Sequence, residues 1–148
     1  MVSIVCRQHI WLGASPAAME DGETERRCQD CGARERSFIL PYIPAGANKL
    51  HRLHYHQVAS LRRQLRDDVA LLTRREPLWE HARLTIDFRW KDKRAHDIDN
   101  ALAGFKAGID ALKGRWFVDD DTAHLEVVPL GVTGTGRPDC VVVRCEEM

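Results

Sequence analysis

Asp97 and Asp99 stand one residue apart in the stretch "RAHDIDNALAGFK", residues 94–106, just where an apolar helical rhythm begins. A second acidic knot, Asp119, Asp120 and Asp121, follows in "WFVDDDTAH". Neighbouring carboxylates repel each other unless a cation or an arginine compensates. Aspartate oxygens drawn from separate segments suit a hard divalent ion such as Mg2+. Such an ion neutralises charge that builds on a phosphodiester as it is cut. Residues two apart on an extended chain point the same way, so Asp97 and Asp99 aim together wherever the chain is strand-like. The plainer role for this stretch is a helix cap, supplied by Asp99 or Asn100. Lys106 lies seven residues after Asp99, nearly two helical turns on and on the same side. There it can hold a phosphate or a leaving oxygen as a point charge. It can equally pair with Asp110, four residues further along.

A different donor set occupies the amino terminus. Cys6 and His9 form a C-x2-H pair, and Cys28 and Cys31 a C-x2-C pair. Four such ligands close a tetrahedron around Zn2+, leaving no open position, so the implied zinc is structural. Gly32 after the last cysteine allows a tight turn around the metal. Arg26, Arg27, Arg34 and Arg36 flank the set. Cys140 and Cys145 fall in an apolar run near the end and read as core thiols. His51, His54 and His56 in "HRLHYH" join Asn48, Lys49 and Arg52 in a loop suited to face DNA, or else simply to lie on the surface.

The elements that must position these groups are legible from periodicity. Residues 1–36 read as a small zinc-knuckle module, with "SPAAMEDGETERR" as an exposed loop. From residue 37 the pattern is that of a second domain, 37–148. "SFILPYI" suits a strand, and "PAGANK" a turn-rich loop. "HQVASLRRQLRDDVALL" spaces Val58, Leu61, Leu65, Val69 and Leu72 as one face of a helix, with Arg62, Arg63 and Arg66 opposite. "ARLTIDFRW" alternates as a half-buried strand, with Leu84, Ile86, Phe88 and Trp90 on its apolar side. Leu102, Phe105, Ile109 and Leu112 mark a second helix, ended by Gly114. "HLEVVPLGV" and "DCVVVRC" close the chain as two strands. This order predicts an α/β (α+β) domain with a mixed sheet and two main helices.

Composition sets the remaining bounds. The 148 residues are 44% hydrophobic and 30% charged, as in soluble globular proteins. No apolar run approaches the roughly 20 residues of a membrane span. The opening residues lack the basic lead and apolar block of a signal peptide, so a cytoplasmic protein with reduced thiols is expected. Net charge is zero, yet residues 49–94 hold 12 Lys and Arg against 6 Asp and Glu, and residues 95–148 hold 5 against 10. A basic middle beside an acidic end suits a phosphate-binding surface around a carboxylate site.

The stretch "HDIDNALAGFKAGIDALKGRWFVDDDTAHLEVV" resembles the core of the RusA family of Holliday junction resolvases. Shared features are the Asp-x-Asp-Asn element, a helix with Lys before Asp-Ala-Leu, and an Asp-Asp pair ahead of a strand. "PYIPAGANKLHRLHY" is similar to that family's amino-terminal strand and Asn-containing loop. The resemblance runs through residues 38–148, and the zinc knuckle is an addition like that of some phage proteins. It implies that Asp97, Asp99 and Asp120 hold Mg2+ or Mn2+, with Asp121 as the alternative third ligand by one residue, and that Lys106 is the essential lysine. It further implies a homodimer, with one site per subunit, that nicks four-way DNA junctions symmetrically in recombination, repair or phage genome processing in the bacterial cytosol. Two other functions also fit the residues: a non-catalytic zinc-containing DNA-binding or regulatory protein, and a nuclease for flaps or other branched DNA.

Overall fold

The computed structural model describes residues 11–12 and 22–148. β4 (Ala82–Arg89), an interior strand of the sheet, buries Leu84, Ile86 and Phe88 completely, as the alternation predicts. β5 (Leu125–Val132) pairs with β4 in parallel, while β6 (Cys140–Glu147) lies antiparallel on its other side. β3 (Arg34–Leu40) adds to β6, followed outward by β2 (Thr24–Cys28) and β1 (Trp11–Leu12). The result is one mixed six-stranded sheet of order β1-β2-β3-β6-β4-β5. The predicted α+β class with a mixed sheet is thus the observed one.

Helices cover one side of this sheet. α2 (Tyr55–Leu72) contributes Leu65 and Val69 to the core and exposes Arg62, Arg63 and Arg66. Because β4 and β5 are parallel, a crossover must carry the chain back along the sheet. That crossover is the second predicted helix, broken into α3 (Ile98–Gly104) and α4 (Lys106–Leu112). The break falls at Phe105, whose N–H donates to the carbonyls of both Ala101 and Leu102. Its ring is fully buried and meets Phe88 edge-on at 6.3 Å. The preceding Gly104 lies against the loop before the short helix α1 (Ala47–Leu50), where a Cβ would collide with the carbonyl oxygen of Ala45.

The amino-terminal region differs from expectation in one respect. Residues 24–27, expected within an exposed loop, belong to β2 and pair with β3. Their strand character lies in charge rather than in apolar alternation. Arg26 pairs with Glu35 at 2.7 Å and Arg36 with Glu25 at 3.3 Å across the two strands. Cross-strand pairs of this kind stabilise a ladder that a hydrophobic pattern cannot reveal. β3 runs across the expected boundary between residues 36 and 37. Arg36 is fully buried, with its guanidinium 3.8 Å from the Trp79 ring centroid and a bond to the Pro77 carbonyl at 3.0 Å.

Candidate active site

The first turn of α3 sets two of the candidate carboxylates. Asp97 is extended, with φ −84° and ψ 111°, and its Oδ1 accepts the Asn100 N–H at 3.2 Å. Asp97 is therefore the N-cap, not Asp99 or Asn100 as the capping expectation had it. Aspartate is among the strongest caps, and satisfying an otherwise orphan N–H starts the helix at Ile98. Asp99 then sits in the helical first turn, so the pair is not displayed as alternate residues of a strand. Both carboxylates are exposed, and Asp99 makes no ion pair among the described residues. Asn100 has another task. Its Oδ1 accepts the Asn48 N–H at 2.7 Å and ties the start of α1 to the start of α3.

Lys106 opens α4 and reaches the second acidic knot. Its Nζ lies 2.5 Å from Asp120 Oδ2 and 2.8 Å from Asp110 Oδ1. The Asp110 pair expected as the plainer role of this lysine is thus present, and a second bond runs to Asp120. Lys113, seven residues on and so on the same helix side, approaches Asp119 at 2.7 Å and Asp120 at 3.5 Å. The Lys106 hydrogen bond, more than any other cause, holds the Asp120 carboxyl down at about 2. Bonds to Asp110 and then Asp120 raise Lys106 above the usual lysine range, and Asp119 does the same to Lys113. At neutral pH Asp120, Lys106 and Lys113 are all ionised.

Asp121 faces elsewhere. Its Oδ1 accepts the N–H groups of Ala123 and His124 at 3.0 and 3.1 Å and lies 2.5 Å from the His124 ring nitrogen. It organises the turn into β5, while Asp120 is the aspartate of the knot that meets Lys106.

Carboxylates offer only oxygen donors, which suits a hard divalent cation in donor chemistry. In position they are not drawn together: among the described residues, no three His, Cys, Asp or Glu side chains are grouped as an ion requires. The parallel register accounts for this spacing. Asp97 follows the carboxyl end of β4 and Asp120 precedes the amino end of β5, and those are opposite ends of the strand pair.

Around the carboxylates the surface is basic. Asn48 and Lys49 lie on α1, Arg52 just beyond it, and all three are exposed, as are His51, His54 and His56. His54 caps α2, accepting the His56 N–H at 3.3 Å, while Gln57 Oε1 accepts the His54 N–H at 3.1 Å. Of the expected zinc ligands, Cys6 and His9 lie outside the described residues. Cys28 ends β2 and is buried, and Cys31 sits in the turn toward β3. That turn is closed by bonds from Cys28 N–H to the Ala33 carbonyl and from Gly32 N–H to the Cys28 carbonyl, with Gly32 at φ +73°. A tight loop of this form suits a thiolate pair on zinc. Cys145 is a buried core thiol whose pKa burial pushes up, and Cys140 is half-buried.

Some neighbours of the site were not singled out from sequence. Lys113 is one, signalled only by its seven-residue step from Lys106. The other is a brace on the loop before α3. His96 stacks on Trp90 with ring centroids 4.3 Å apart and lies 2.8 Å from Asp92, whose carboxyl it holds down at about 2. The four-residue spacing of Asp92 and His96 was the available signal.

The chain matches no protein-family model and no curated protein. No helix among the described residues is long and apolar enough to cross a membrane.

Proposed function

We propose that this chain is a metal-dependent endodeoxyribonuclease of RusA type, resolving four-way DNA junctions by paired nicks as a homodimer in the bacterial cytosol. The observation that carries it is the bond from Lys106 to Asp120. It joins two segments fourteen residues apart, on the same crossover whose first turn presents Asp97 and Asp99. A capping pair or a solvated charge run needs no such lysine between two acidic groups. The exposed arginines of α2, with Lys49 and Arg52, supply the charge that a phosphate backbone requires.

Asp97, Asp99 and Asp120 would have to be drawn together to hold Mg2+ or Mn2+, since here they flank opposite ends of the β4–β5 pair. When bound, that ion supplies a Lewis acid for in-line displacement at phosphorus. Lys106, cationic throughout the neutral range, would hold a non-bridging or leaving oxygen of the scissile phosphate as charge develops there. Lys113 adds a second cation beside Asp119 and Asp120. Cys6, His9, Cys28 and Cys31 would hold a structural Zn2+ that secures the β2–β3 turn.

The test is cleavage of a synthetic four-way junction with Mg2+, beside linear duplex and flap substrates, comparing the wild type with Asp97→Asn. Symmetric nicks on the junction alone, lost in the variant, are expected. Junction binding with no metal-dependent nicks would instead favour the non-catalytic DNA-binding protein. Preferred nicking of flaps would move the substrate to another branched DNA.

A further inference from the structure

We propose that the cleft between α1, α2 and α3 receives a nucleobase unstacked at the branch of the DNA, with Tyr55 as the surface on which it stacks. This rests on the nuclease reading, and deepens it by naming a second site.

Tyr55 is exceptional in this chain. Among the described side chains, every Trp and Phe is buried and Tyr42 is half-buried with its hydroxyl on Asp68. Tyr55 keeps 69% of its surface in solvent. Its hydroxyl makes no hydrogen bond among the described residues. An exposed tyrosine ring gains nothing for the core, whereas every nucleobase offers a flat face to meet it.

The ring is also held in place. His54 and His56 flank it, with centroids 4.5 and 3.9 Å from that of Tyr55. The reciprocal cap between His54 and the first turn of α2 fixes the backbone that carries all three rings. A platform so fixed loses little freedom when a ligand arrives.

Beside Tyr55 lies a cleft of about 540 Å³, a size typical of small-molecule sites. Leu50, Leu53 and Val58 give it apolar walls, and Arg62 and His51 border it. None of its lining residues is acidic, and Lys49 and Arg52 stand close by in the chain. Apolar walls with a cationic margin match a neutral base joined to anionic phosphates. Its far wall is Ala103 of α3, one helical turn beyond Asp99 and three residues before Lys106. Ala103 thus puts the cleft against the same short helix that carries Asp99.

Four-way junctions carrying 2-aminopurine at single positions around the branch test this, with Mg2+ and Mn2+ omitted so that no strand is cut. Fluorescence anisotropy reads binding, and 2-aminopurine emission reads the stacking of that base. The wild type and Tyr55→Phe are expected to bind alike and to change emission at one or more branch positions. Tyr55→Ala, and Ala103→Trp which fills the cleft, should lose that change and bind the junction roughly five- to hundredfold more weakly. Binding of both to linear duplex should stay within about twofold of the wild type. Unchanged emission and junction affinity in Tyr55→Ala overturn the base site and leave the nuclease reading standing. A wild type that binds no DNA fails at the anisotropy step and overturns both.

Discussion

Lys106 Nζ bonds Asp120 Oδ2 and Asp110 Oδ1 together, and these two contacts predict different things. The Asp110 pair is an exposed i,i+4 contact, of a kind worth only a few tenths of a kcal/mol. Asp110→Asn should therefore leave junction cleavage within about threefold of wild type. Lys106→Met removes the cation proposed to face the scissile phosphate, and a loss of about 100-fold or more in the cleavage rate is expected. Single-turnover kinetics with both variants decide the matter, with melting curves confirming that each is folded.

Asp120 and Asp121 are adjacent in sequence and separated in role. Asp120→Asn should abolish metal-dependent nicking, since its carboxylate is the one joined to Lys106. Asp121→Asn should keep nicking but lose stability by about 0.5–1.5 kcal/mol, because Asp121 accepts bonds from the turn into β5. Equal loss of nicking in both variants would count against this division.

The ionisation of the cluster sets a pH window. Asp120 titrates at about 2 when folded, below the ordinary 3.8 of an aspartate. Its share of stability is therefore complete above about pH 4 and is lost as pH falls toward 2. Lys106 is raised above its ordinary 10.5, so its share is complete below that value and is lost only as pH rises past the folded pKa. Carbon NMR of the Asp120 carboxyl should show a plateau from about pH 4 upward in the wild type. In Lys106→Met the midpoint should move up toward 3.8.

The exposed face of α2 should act on affinity through charge alone. Replacing Arg62, Arg63 and Arg66 together with Gln removes up to three phosphate contacts. The slope of log binding constant against log salt should then fall by up to about three units. Binding of junction and duplex should weaken in similar proportion. Titrations at several salt concentrations provide the measurement.

How far the sequence disclosed this structure depends on which signal each element used. α2, β4 and the crossover were legible because Leu65, Val69, Leu84, Ile86, Phe88, Ile109 and Leu112 repeat at the helical or strand period, and burial enforces that period. β2 was not, since Glu25, Arg26 and Arg27 pair by charge with a strand that must first be found. The break at Phe105 was hidden for another reason: each half still obeys the helical spacing, so periodicity does not mark the interruption. At the site, Lys106 and Asp120 were each visible as residues. Their bond depends on the return of the crossover, which no local pattern encodes. The Asp97 cap was misassigned by two or three residues because aspartate and asparagine all cap well, and only the backbone at Asp97 selects among them.

Gly104 offers a prediction whose sign runs against helix propensity. Within a helix, Gly to Ala ordinarily stabilises by up to about 1 kcal/mol. At Gly104 the added Cβ would meet the Ala45 carbonyl oxygen, a backbone atom that no side-chain rotation can clear. Forced overlap in a packed contact costs about 1–3 kcal/mol. Gly104→Ala should therefore destabilise the protein, read as a lower urea midpoint at an unchanged slope. Gly108→Ala would not isolate this effect, since its neighbour there is the Phe105 ring, which can give way. Moving α1 away from α3 would also loosen the bond from Asn48 to Asn100, beside the Asp97 cap. Cleavage by Gly104→Ala should accordingly fall even at low temperature, where the variant is fully folded. A more stable Gly104→Ala protein with wild-type cleavage would show that α1 does not hold the first turn of α3 in place.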